Sequence, residues 1–134
     1  MKKAIFCAAA LMFGAFGFAQ TMPTVNTSGV TQTGYLNDAQ ITQSGKNTST
    51  VDQEFRENSA IVDQIGVNWS DIDQSGDVGN MKKSGLANSA TVLQDGGNNA
   101  FQISDIDQQG DGNEAIVDQY GEDNNSKIQQ GNNG

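Results

Sequence analysis

The chain has no histidine, one cysteine and one proline in 134 residues. Without histidine it lacks the commonest general base and the commonest metal ligand. The cysteine, Cys7, falls within the first twenty residues. The remainder therefore offers neither a disulfide nor a thiolate metal site. Positive charge is also scarce. Beyond residue 20 only Lys46, Arg56, Lys82, Lys83 and Lys127 face all sixteen acids, a net charge of about −11. That balance argues against nucleic acid as a partner and favours solubility during export.

The first twenty residues read as a secretory signal peptide. Lys2 and Lys3 form a positive start, Ile5 to Phe18 an uncharged apolar run, and Gly17 and Ala19 the small residues of a cleavage site. The apolar run is short for a membrane span, and no span is expected in the mature chain. Cys7 precedes most of the apolar run, where a lipoprotein signal would place its cysteine after it. Residues 21–25 form a short N-terminal segment, and residues 26–134 carry a repeat.

The repeat is Asn-x-(Ser/Ala)-x-(Val/Ile)-x-Gln, and it can be placed ten times. Its arms begin at Asn26, Asn37, Asn47, Asn58, Asn68, Asp77, Asn88, Gln102, Asn113 and Asn124. The aliphatic position holds Val30, Ile41, Val51, Val62, Ile72, Met81, Val92, Ile106, Val117 and Ile128. The closing position holds Gln32, Gln43, Gln53, Gln64, Gln74, Lys83, Gln94, Gln108, Gln119 and Gln130. Asp77, Gly79, Met81 and Lys83 make the sixth arm degenerate, and a weak or bulged rung is expected there.

Each arm alternates with period two, so the uniform set shares one face of a strand and the variable set the other. The uniform face must be the inward one, since a shared packing environment selects the same residue types repeatedly. One aliphatic and one small residue per arm cannot offset the chain entropy of that arm alone. Stacking resolves this. Like side chains then lie over one another at about 4.8 Å, and the asparagine and glutamine amides pair along the column. Links such as Ser44-Gly45-Lys46 supply the tight reversals. The expected fold is all-β: a β-solenoid of about five strand–turn–strand rungs, with two parallel, in-register, amyloid-like sheets. Each arm should pair with the arm two places on. That pairing would stack Asp63, Lys82 and Asp107 on one outer face and leave Asp52 and Asp73 adjacent on the other.

These residues resemble the curlin repeat of curli fibre subunits. Asn113-x5-Gln119-Tyr120-Gly121-x2-Asn124-x-Ser126-x3-Gln130 fits its frame, as does Ser28-x3-Gln32-x-Gly34-x2-Asn37-x-Ala39-x3-Gln43. The resemblance implies a structural subunit of extracellular functional amyloid, used for biofilm matrix, adhesion and cell aggregation. It implies fibres on the surface of a Gram-negative bacterium, with the chain itself as partner in fibre polymerisation. A second curlin-like subunit and an outer-membrane secretion system are further partners it implies. A minor nucleator and a monomeric surface adhesin are the alternatives. Asn opens most arms here where curlin subunits often carry Ser. Only residues 21–25 stand where such subunits carry a secretion-targeting segment.

The amide ladder expected from the repeat comprises Asn37, Gln43, Asn47, Gln53, Asn58, Gln64, Asn68, Gln74, Asn88, Gln94, Gln108, Asn113, Gln119, Asn124 and Gln130. The aliphatic ladder comprises Val30, Ile41, Val51, Val62, Ile72, Val92, Ile106, Val117 and Ile128. Asp105-Ile-Asp107-Gln-Gln-Gly110 lacks the third and closing ligands of a calcium loop. Acidic pairs recur at outward places with no cleft implied, so neither a catalytic site nor a metal or cofactor is expected. Tyr35, Phe55, Trp69, Phe101 and Tyr120 fall at turns or outward places, where edge packing accounts for them.

Overall fold

A computed structural model describes residues 25–76, 87–97 and 101–131. The signal peptide, residues 21–24 and the sixth arm's Asp77, Gly79, Met81, Lys82 and Lys83 lie outside the described residues. Among the described residues there are seven strands, β1 (Thr27–Tyr35), β2 (Asp38–Arg56), β3 (Ser59–Ser75), β4 (Ser89–Asp95), β5 (Phe101–Gln109), β6 (Glu114–Tyr120) and β7 (Asn125–Gly131), and no helix. No helix there is long and apolar enough to cross a membrane.

All the pairings are parallel. Strands β2 and β3 each hold two arms, bent at Gly45 and at Gly66. The chain thus winds into two sheets, distinguished by their small inward residue. In the serine sheet, β1, the second half of β2, the second half of β3, β5 and β7 stack in order. In the alanine sheet the order is the first half of β2, the first half of β3, β4 and β6. Period-two burial follows: along β3 the inward residues Ala60, Val62, Gln64, Asn68, Ser70, Ile72 and Gln74 are all buried.

The pairing two arms on holds for the first rungs and then changes. Ser59–Ile65 of the fourth arm pairs with β4, which is the seventh arm, and the fifth arm pairs with β5, the eighth. The fourth arm is therefore followed in the alanine sheet directly by the seventh. An arm with Lys83 for its glutamine and Gly79 for its small residue would put a charge and a void into the column. The described residues form four full turns and a further strand, β7, stacked as the expected parallel β-solenoid. The expected Asp63–Lys82–Asp107 stack is thereby overturned. Asp63 lies beside Leu93 in the alanine sheet, whereas Asp107 lies beside Asp73 in the serine sheet.

Candidate functional site: stacked amide ladders

The column interior has four kinds of row. Val30, Val51, Ile72, Ile106 and Ile128 align in the serine sheet, and Ile41, Val62, Val92 and Val117 in the alanine sheet. Val51, Ile72, Val62, Val92, Ile106 and Val117 are buried, whereas Val30, in the first rung, is 49% exposed. Beside each aliphatic row runs a glutamine row. In the serine sheet Gln32 donates to Gln53 at 2.8 Å, Gln53 to Gln74 at 2.9 Å, Gln74 to Gln108 at 2.9 Å and Gln108 to Gln130 at 2.9 Å. In the alanine sheet Gln43 donates to Gln64 at 2.9 Å, Gln64 to Gln94 at 2.8 Å and Gln94 to Gln119 at 2.8 Å.

The second N–H of these amides is also used. Gln53 donates to Asp38 O, Gln74 to Ser59 O, Gln94 to Trp69 O, Gln108 to Ser89 O and Gln119 to Ile103 O. Every one of these carbonyls belongs to the preceding strand of the opposite sheet. A glutamine thus ties its own rung to the next one and to the facing sheet, which satisfies both donors in a dry interior. Asparagine rows run the other way. Asn68 Nδ2 donates to Asn47 Oδ1 at 2.9 Å, Asn47 Nδ2 to Asn26 Oδ1 at 3.2 Å and Asn113 Nδ2 to Asn88 Oδ1 at 3.2 Å. Lower in the same alanine-sheet row as Asn88 and Asn113, the Asn58 backbone N–H donates to Asn37 Oδ1 at 3.1 Å. Asn124, whose counterpart in register is Gln102, donates to Tyr120 O at 2.8 Å.

One row has a fault. Gln102 is fully buried in an asparagine position, opposite Asn68. Its Nε2 turns away to Gly121 O at 2.7 Å. Asn68 Oδ1 and Gln102 Oε1 are left without donors, and Ser104 and Ser126 hydroxyls likewise lack partners. Asn88 shows that an asparagine can reach the carbonyl of the turn from this position, at 2.7 Å to Gly110 O. Gln102→Asn is therefore expected to stabilise the column by about 1 kcal/mol, read as a higher denaturant midpoint for loss of β-structure.

Gln102, Gln32 and Asn26 extend the rows beyond the residues expected to form the ladder. The departure of the sixth arm from every rule of the repeat was the available signal that the pairing would pass over it.

The two outer faces differ. The serine sheet displays Asp52, Asp73 and Asp107 in one row and Asp71, Asp105 and Lys127 in the next. Lys127 Nζ meets Asp105 at 2.6 Å, an exposed pair worth little. The alanine sheet displays Ile61, Thr91 and Ile116 in one row and Ile65, Asp95 and Tyr120 in another.

Partial desolvation first, then the charges of Asp105 and Asp52, raises the Asp71 carboxyl above the usual range. Desolvation, followed by Asp107 and Asp52, does the same to Asp73. A carboxyl whose pKa is raised on folding binds protons better folded than unfolded. It weakens the fold above the folded pKa, and this is relieved as pH falls through that value. The column should therefore gain stability on mild acidification from neutrality. Denaturant midpoints measured across that range should rise, and Asp71→Asn with Asp73→Asn should flatten the dependence.

The geometry defines a class: a parallel β-solenoid whose interior is a cross-β stack of aliphatic and amide rows. Residues 105–131, which span the end of β5, all of β6 and β7, match the family model of the curlin associated repeat. The match supports assignment of the chain to the curlin family. No curated protein and no solved structure matches the chain.

Proposed function

We propose that the protein is a structural subunit of extracellular curli-like amyloid fibres, serving biofilm matrix, adhesion and cell aggregation. Its role in this reading is architectural rather than catalytic. The observation that carries it is the state of the column's first strand. Every residue of β1 is exposed, including the inward-type Val30 and Gln32, and among the described residues nothing pairs with its outer edge. An edge with unpaired backbone groups and a matching amide row is a template for a further strand. The partner that matches row for row is another copy of the same repeat.

Secretion through an outer-membrane system, display on a Gram-negative surface and cooperation with a second curlin-like subunit belong to the same reading, and the family assignment supports them. Purified protein should give thioflavin-positive fibres after a lag, and preformed fibre should abolish the lag. Fibre diffraction should show the strand spacing of about 4.8 Å along the fibre axis. Protein that stays soluble and unseedable would favour the monomeric adhesin instead.

A further inference from the structure

The fourth arm pairs directly with the seventh, and the described column contains an odd number of arms: five in the serine sheet and four in the alanine sheet. The winding climbs half a rung with each strand. This is visible in the glutamines, which each donate to the strand before their own: Gln119 to Ile103 O at 3.1 Å and Gln130 to Glu114 O at 2.9 Å. The next place on the climb after β7 lies in the alanine sheet, along the free edge of β6.

We propose that this place receives β1 of a second copy of the chain, so that successive copies are related by about half a turn and exchange sheets. The inference rests on the fibre reading above and specifies its interface. The serine sheet of one copy continues into the alanine sheet of the next.

The chemistry at the junction fits. Gln119 uses one N–H on Ile103 O, and among the described residues no acceptor takes the other. In every rung below, that N–H reaches the glutamine oxygen of the next strand, as Gln94 does to Gln119. Gln32 of the incoming copy brings such an oxygen. Among the described residues its Nε2 donates only to Gln53, and at the junction its remaining N–H would reach the carbonyl of Asn125 of the preceding copy, the first residue of β7. Gln43 of the incoming copy then follows on Gln130.

The aliphatic rows also accommodate this arrangement. Exchange sets Val30 on Val117 and Ile41 on Ile128, like upon like. A straight continuation sets Val30 on Ile128 and leaves a strand-wide gap in the alanine sheet, between Val117 and Ile41 of the next copy. The exchange brings Ser28 over Ala115 and Ala39 over Ser126. That mismatch forfeits no hydrogen bond of Ser126, whose hydroxyl, like that of Ser104, makes none within the chain.

Cysteine pairs on the outward faces test the junction without disturbing the core. Neighbouring parallel strands place in-register Cα atoms within disulfide range. Full chain with Cys7→Ala would carry either Thr31→Cys with Asp118→Cys, or Thr31→Cys with Gln129→Cys. Thr31 and Asp118 lie on opposite faces and several rungs apart in one chain, so any bond between them joins two copies. Fibres of the first pair, oxidised, should run as a ladder of dimers and higher species on denaturing gels, and the ladder should collapse to monomer on thiol reduction. Fibres of the second pair should run as monomer. Thr42→Cys with Gln129→Cys reports the same junction independently and should also give the ladder.

A ladder from the Thr31–Gln129 pair, with none from the other two, would overturn the half-turn in favour of straight continuation. Fibres that cross-link through none of the pairs would overturn it while leaving fibre formation intact. Failure of the unsubstituted chain to form fibres would overturn the functional reading and this junction with it.

Discussion

Gly66→Ala is expected to destroy the column. Gly66 sits at the bend between the two arms of β3 with φ of +105°, a region that side chains enter only at a cost. Its neighbours are stacked backbone. A Cβ at Gly66 would lie 1.8 Å from the carbonyl oxygen of Gly96, and a Cβ at Gly45 would lie 2.1 Å from that of Gly66. Neither contact can be relieved by turning a side chain, because the obstructing atoms are main chain held by the ladder: Gly96 N–H donates to Ile65 O at 2.9 Å. Relief requires the rungs to part at that corner. The cost is about 3 kcal/mol or more. In a column whose stability is a sum of neighbour terms, it falls on the central interface between the first half of β3 and β4. The expected result is loss of seeded fibre growth and of β-structure by circular dichroism. Gly97→Ala, away from the two ends of the column, is the control. A Cβ there meets nothing within 4 Å, and growth should be unchanged.

Gln74→Glu is expected to block folding at neutral pH and to be rescued by acid. Gln74 is fully buried. It accepts from Gln53 and donates to Gln108 Oε1 at 2.9 Å and to Ser59 O at 3.0 Å. A carboxylate there keeps the acceptor role but faces two oxygens it cannot bond, and it is desolvated without a counter-charge. Several kcal/mol are lost. Burial raises the pKa of such a glutamate, so the penalty applies above that value and is lifted as pH falls through it. Protonated, the acid can again donate to Gln108. Fibre formation should be absent at neutral pH and return near pH ~4. Gln74→Leu separates charge from hydrogen bonding: it leaves Gln108 Oε1, Ser59 O and one Gln53 N–H unpaired, and should fail at both pH values.

How far the sequence alone reaches is shown by particular residues. Val51, Gln53, Ile72 and Gln74 recur at one spacing and on one side of a period-two pattern, so their inward place and parallel stacking follow from the strand geometry. Gln53 and Gln74 are 21 residues apart and bonded, and so are Gln43 and Gln64. The later partners are not predictable from that interval. Gln64 reaches Gln94 across 30 residues and Gln74 reaches Gln108 across 34. A degenerate arm can be held as a poor rung or left out, and the choice depends on whether its flanking links can close the gap. Sequence shows the poor fit of Lys83 but not the closure. The fault at Gln102 was equally hidden. One methylene more than asparagine looks conservative in a row of amides, yet it sets the Gln102 amide out of step with the row and leaves Asn68 Oδ1 and Gln102 Oε1 without donors.

The row of Asp52, Asp73 and Asp107 gives the serine face a property better known from nucleic acids. Carboxylates one rung apart stand about 4.8 Å from each other. In water, unit charges closer than about 7 Å repel by more than thermal energy. A string of fixed charges at such a spacing gathers a condensed sheath of mobile small cations. The acidic flank is then partly neutralised by its own ionic atmosphere, and dissolved salt tunes how closely two such flanks can lie.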